Sequence, residues 1–190
     1  MTAKKEFIST IELFYSIYRD CRLSFYITQK DFEKQQEIML VKYKEQGIYQ
    51  SIDDLDMLSV HYGVMEEEIG MLKFIAQISQ GEWKKKLGID GSNIRYIGNM
   101  CLVLIYQYWE DYYRDQIAIS KGITKDELQS DLFGDIRQLR RSIVHNNGIA
   151  IGDVDQCKIL KWFKSKDIIF IDAEKMDFLL EILKKEINGL

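Results

Sequence analysis

Proline is absent from all 190 residues of this chain. Average usage would place about nine or ten prolines in such a length, and each would end or kink a helix. Long uninterrupted helices are therefore favoured over a loop-rich sandwich. The first segment uses that freedom. Phe7, Ile11, Phe14, Tyr18, Cys21, Phe25, Phe32 and Met39 follow one another at steps of three, four or seven, which places them on one stripe of a helix. A helix is expected from about residue 4 to about residue 45, ending near Gly47.

The same rhythm returns in Leu55, Leu58, Tyr62, Met65, Ile69, Leu72 and Ala76. It predicts a second helix that stops before Gly81 and forms a helical hairpin with the first over residues 1–90. An irregular stretch, GEWKKKLGIDG, leads to Ser92 as a candidate N-cap. The third helix is expected from about residue 93 to 120, with Ile94, Ile97, Cys101, Leu104, Tyr108 and Tyr112 on its stripe and Lys121-Gly122 as its end. Thr124 and Glu127 have capping-box spacing and predict the start of a fourth helix. Leu128, Leu132, Ile136, Leu139 and Ile143 form its stripe, and Gly148 is its stop.

A helical turn near residues 153–163, a β-like run at Ile168–Ile171 and an amphipathic helix from about 173 to 187 complete the chain. A run of four residues cannot form a sheet alone, so it needs a partner strand, for which another subunit is one source. Four amphipathic helices with short connections are most simply satisfied by an all-α antiparallel bundle, a single domain over residues 1–190.

Composition narrows the chemistry. Thirty acidic against 26 basic residues give a net charge of −4, which argues against a surface coated for duplex DNA while leaving room for a local basic groove. No apolar run approaches the roughly 18 to 20 residues that span a bilayer, and the start MTAKKEF lacks the apolar core of a signal peptide. A cytoplasmic protein without a membrane segment is expected. Cys21, Cys101 and Cys157 include no CxxC pair and read as reduced core residues, not as a disulfide framework or a zinc site. With only His61 and His145 to supply imidazole, a three-histidine metal site within one chain is excluded. No cofactor is expected.

The richest cluster is DIRQLRRSIVHNNGIA, residues 135–150. Arg137, Arg141 and His145 fall on an i, i+4, i+8 line of the fourth helix, whereas Arg140 lies about 140° around from His145. Arg140 reaches that histidine only through its long side chain, a loosened helix end or a symmetry mate. Guanidinium groups beside an imidazole suit phosphate: the first bind phosphoryl oxygens bidentately, and the second moves a proton near neutral pH. The helix macrodipole alone also favours cations at a C-terminus, by about 0.3 to 1 kcal/mol each.

The segment Leu139-Arg140-Arg141-Ser142-Ile143-Val144-His145-Asn146 resembles the hallmark of the HEPN superfamily (higher eukaryotes and prokaryotes nucleotide-binding). Its members are helical bundles carrying Arg-x4–6-His on a late helix, commonly with a polar residue after the arginine. Arg140 and His145 fall in the two slots, and Arg141 stands where many members carry Asn, Asp or His. A second resemblance lies upstream, where Glu110 and Arg114 match the Glu-x3-Lys/Arg pair that the family often places on an earlier helix. The likeness covers about residues 91–190; residues 1–90 match only as a generic helical hairpin.

The resemblance implies a metal-independent endoribonuclease acting as a homodimer, with two Arg/His motifs facing across a cleft. His145 would be the general acid or base and Arg140 the group that stabilises phosphoryl charge. Arg141 and Asn146 would help to hold phosphate, while Glu110 and Arg114 would order the motif. RNA would be the substrate, since the attacking 2′-hydroxyl is absent from DNA. A toxin or defence setting, with an antitoxin or other protein partner, also comes from the likeness. The alternative from the same likeness is a non-catalytic protein that uses the bundle for dimerisation or docking. A third reading is a scaffold assembled through the aromatic heptads of residues 7–39.

Other features point to structure. His61, beside Tyr62 on the heptad helix, reads as a partly exposed structural histidine. Glu66-Glu67-Glu68 and the Asp53, Asp54, Asp56 set read as solvated faces and a helix N-terminus. Lys84-Lys85-Lys86 and Lys158, Lys161, Lys164 and Lys166, with Trp162 and Phe163, could extend a nucleic-acid surface, but surface charge over buried aromatics is favoured. The YQYWEDYY stretch reads as bundle core with polar tips.

Overall fold

An uninterrupted helix, α1 (Ala3–Glu45), opens the chain. It stops where the heptads predict, at Gly47, whose φ of +70° suits the left-handed reversal after a helix. The computed structural model describes residues 2–66 and 71–190. It is mostly helical: α2 (Ile52–Asp56), α3 (Gln80–Leu87), α4 (Ser92–Tyr108), α5 (Arg114–Ser120), α6 (Asp131–His145) and α7 (Ala173–Gly189) follow. A π-helical segment, Trp109–Tyr113, joins α4 to α5, and a 3-10 turn covers Gly152–Gln156. Among the described residues no helix is long and apolar enough to cross a membrane.

The second long helix does not form. In its place β1 (Ser59–Glu66) and β2 (Met71–Ser79) pair antiparallel, from Ser59 opposite Ser79 to Glu66 opposite Met71, with a bulge at Tyr62/Gly63. The sequence supports both periods. Val60, Tyr62 and Val64, and Leu72, Phe74, Ala76 and Ile78, are also spaced two apart. Gly63 would weaken a helix interior but suits a bulge. His61 therefore stands exposed on a strand, not on a helix. Of the expected helix stripe, Ile69 lies outside the described residues, as do Glu67 and Glu68 of the acidic run. The stretch expected to be irregular instead contains α3.

The chain divides into two compact units, Arg22–Ile94 and the pair Met1–Cys21 with Arg95–Leu190. Within Arg22–Ile94 a polar knot lies beneath α3. Gln36 is 3% exposed; its amide nitrogen donates to Asp56 Oδ1 at 2.9 Å and Gln80 Oε1 at 2.8 Å, and its oxygen accepts from Lys84 Nζ at 2.9 Å. Lys84 also pairs with Asp56 at 2.7 Å, so it is a structural cation and not part of a free lysine patch. Asp53 and Asp54 occupy the first turn of α2, where Asp54 completes a capping box with Ser51.

The larger unit is built on stacked aromatics. Trp109 and Phe133 lie face to face at 3.9 Å, and Phe7 packs against Tyr113 at 4.6 Å, so YQYWEDYY does contribute core. Around them Leu102, Ile105, Ile117, Leu132, Ile136, Leu139, Leu179 and Leu183 are all 1% exposed or less. Burial of each such side chain contributes about 1.5 to 3 kcal/mol before conformational entropy is counted.

Two connections differ from expectation. The Thr124/Glu127 box forms, with Glu127 Oε2 accepting from the Thr124 amide at 2.7 Å, but it closes a single turn. The fourth helix starts later, where Ser130 Oγ accepts from the Phe133 amide at 3.3 Å. The β-like run finds its partner within the chain: Ile168 bridges antiparallel to Ile149, and the Ile169 amide donates to Gly148 O at 2.7 Å. Buried Asn99 on α4 holds the run's other side, donating to Ile169 O at 3.1 Å and accepting from the Ile171 amide at 3.4 Å. A Cβ on neighbouring Gly98 would stand 2.3 Å from Ile171 O, so only glycine permits this approach.

Candidate active site

Helix α6 is amphipathic in an uncommon way, because both faces carry polar groups. Leu132, Phe133, Ile136 and Leu139 bury their side chains together with Asp135 and Ser142. Asp135 accepts from the amides of Lys158, Ile159 and Leu160 at 2.9, 2.6 and 2.8 Å, fastening the loop after the 3-10 turn. Ser142 Oγ donates to Gln138 O at 3.0 Å and accepts from the Ile151 amide at 3.1 Å. With Asn147 at φ +51° and Gly148 at φ +75°, the chain reverses immediately after the helix. His145 is left exposed on its final residue.

Arg140 reaches back to that histidine. Its Nη1 lies 3.5 Å from His145 Nε2, so the long side chain spans the angular gap within one chain. Arg140 Nε is buried and has no hydrogen-bond partner.

The pair borders an open cleft of about 800 Å³. Arg137, Arg140, Arg141 and His145 of α6 form one wall. Tyr106, Glu110 and Arg114, from the path α4, π-segment and α5, line it as well. Gln107 and Asp111 of the same path, with Asp126 and Gln129 of the intervening connection, complete the rim. The two motifs singled out in the sequence therefore share one cavity.

Glu110 lies in the π-helical segment, a local widening often found at functional sites. Arg114 Nη1 approaches its Oε2 at 3.1 Å, and Lys125 Nζ approaches Oε1 at 3.0 Å. Partial burial disfavours the charged carboxyl, but Lys125 and Arg114 outweigh it and hold Glu110 below the ordinary glutamate value. Arg114 Nε also donates to Leu128 O at 3.0 Å, and Lys125 Nζ donates to the Glu110 carbonyl. These bonds tie the connection ahead of α6 to the opposite wall, so they set the position of the helix that carries Arg140 and His145.

Arg141 and Asn146 are used differently. Arg141 Nη1 pairs with Asp153 Oδ2 at 2.6 Å and bonds Gln138 Oε1 at 3.1 Å, which anchors the 3-10 turn while the side chain still borders the cleft. Asn146 does not line the cleft; its amide nitrogen donates to Ile149 O at 2.8 Å. Lys158 is paired with Asp131 at 2.6 Å, Trp162 packs edge-on to Phe178 at 5.9 Å, and Lys175 covers the Phe163 ring. Those aromatics are half-buried, not a free stacking platform.

Sequence reasoning missed Lys125 and Tyr106 as members of this site. Neither has a local signature: Lys125 sits inside a capping box, and Tyr106 is one of several tyrosines. Comparison of the chain with protein-family models, with curated proteins and with solved structures gave no match.

Proposed function

We propose that this chain is a HEPN-like, metal-independent endoribonuclease that acts as a homodimer. The observation that carries the reading is the Arg140–His145 contact at 3.5 Å inside a cleft whose lining includes the Glu110–Arg114 pair. An exposed imidazole beside a guanidinium is the minimum set for transesterification at a ribose phosphate: one moves the proton and the other holds the charge.

In this mechanism a ring nitrogen of His145 removes the proton from a ribose 2′-hydroxyl, and that oxygen attacks the adjacent phosphorus. Arg140 binds the phosphoryl oxygens as negative charge builds. The bond to the 5′-oxygen breaks, and the leaving oxygen takes a proton from His145 of a second copy across the dimer. The products are a 2′,3′-cyclic phosphate and a 5′-hydroxyl. Arg141 adds positive charge at the margin, Asn146 shapes the turn beside the histidine, and Glu110 with Arg114 positions α6. A toxin or defence role, with a protein antitoxin as the restraining partner, fits such an activity.

The test is cleavage of a broad RNA panel by the full chain with a chelator present. RNA should be cut to cyclic-phosphate ends while 2′-deoxy substrates survive. His145→Ala should lower the rate at least about 100-fold with the fold intact. Failure to cut any RNA, by protein that is folded and dimeric, would leave the non-catalytic docking protein as the better description.

A further inference from the structure

A second hollow of about 300 Å³ adjoins the cleft and shares Tyr106, Glu110, Arg114, Gln129 and Arg137 with it, and Asp131 lines its far side. That volume is at the small end of ligand sites and is enough for one nucleobase. Its rigid side is the stacked pair Trp109 and Phe133, both nearly fully buried. Gly134 of α6 also lines it, and a Cβ built there meets no atom within 4 Å.

That glycine is unusual. It lies inside a helix, where glycine is the weakest former apart from proline, and neither a positive φ nor a close backbone approach requires it. It borders the hollow without adding a side chain to it. One helical turn further on, Arg137 borders both cavities, is exposed, and makes no hydrogen bond or ion pair among the described residues. An arginine without a carboxylate partner at the junction of two cavities is a free anion contact. Tyr106, half-buried on both cavities, offers a ring for stacking, and the exposed Gln129 amide can both donate and accept at a base edge.

We propose that this hollow is the subsite for one nucleobase of the RNA, with Arg137 holding the phosphate that links that nucleotide to the one at Arg140 and His145. The assignment rests on the ribonuclease reading and extends it to how the strand is gripped. The base stacks on Tyr106 above the space left by Gly134, and the backbone passes Arg137 into the larger cleft.

Titration calorimetry of the full chain with 2′-deoxy dinucleotides, which lack the attacking hydroxyl, tests this apart from cleavage. Each is compared with a matched dinucleotide that is abasic at one position. At least one base should tighten binding about tenfold over its abasic partner. Gly134→Leu, whose side chain would fill the hollow, should erase that tenfold difference and leave abasic binding unchanged. Arg137→Ala, at an exposed site, should weaken both probes about three- to tenfold.

Equal binding of base-bearing and abasic probes overturns the subsite, as does absence of binding by either. A Gly134→Leu protein that keeps its fold and the full base preference overturns it as well. Base-dependent binding without cleavage of any RNA retains the subsite and removes the nuclease reading. Cleavage without base-dependent binding does the reverse.

Discussion

On the inner face of α6, Asp135 is 4% exposed and satisfied by three backbone N–H groups at 2.6 to 2.9 Å. On the outer face, Arg137 has no polar partner among the described residues, and Arg140 meets His145 only at 3.5 Å. One helix thus carries two kinds of polar group. A buried group with every bond made contributes to stability, because removing it strands its partners. An under-used group at a cavity contributes little to the fold and is available to a ligand. The difference separates residues that build the site from residues that act in it.

The largest effect should come from the inner face. Asp135→Ala removes the common acceptor of the Lys158, Ile159 and Leu160 amides, and should lower unfolding free energy by about 3 kcal/mol in urea denaturation. Arg140→Ala, on the outer face, should lower it by about 0.5 kcal/mol or less. Equal losses from the two substitutions would break the comparison. The next effect has the opposite sign. Gly134→Ala meets no atom within 4 Å and should raise stability by about 0.5 to 1 kcal/mol. A neutral or destabilising result would mean that Gly134 is needed for the fold, and its role as an opening for a ligand would lose its support.

How far these residues could be recognised in advance depended on how local their physics is. The span of α1 follows from a proline-free heptad stripe and Gly47, all within one segment. The β1–β2 hairpin was hidden because its apolar residues fit steps of three and four as well as steps of two; the bulge at Gly63 needed the partner strand to be visible. At α6 two start signals competed, and Ser130 prevailed over the Thr124 box that still formed. The Arg140 to His145 spacing is legible in the sequence, whereas the reach of one side chain across the angle between them depends on the folded chain. Asp135 could not be understood from its neighbours, because its partners are 23 to 25 residues away. The Lys125 link to Glu110 was equally invisible, since it depends on how the α5–α6 connection folds back.

Glu110 stands between the two cases, because it is paired but a third of its side chain is exposed. Its folded pKa lies below the ordinary 4.5, since the pull of Lys125 and Arg114 exceeds the cost of partial burial. The sign follows from linkage: a lowered carboxylate pKa contributes stability that is complete above the unfolded value and is lost as pH falls through the folded value. Solvent screening limits the contribution to a few tenths of a kcal/mol, up to about 1. The wild-type chain should therefore exceed Glu110→Gln in stability by a constant margin between about pH 6 and 8, and that margin should shrink as pH drops below about 4.5. The comparison must be made as a difference between the two proteins, because Asp54, Asp56 and Glu127 are also lowered and titrate in the same acid range. A margin that stays flat to pH 3 would show that the Lys125 and Arg114 contacts do not favour the ionised carboxyl, and a margin near that of Asp135→Ala would move Glu110 from the site that acts to the scaffold that holds it.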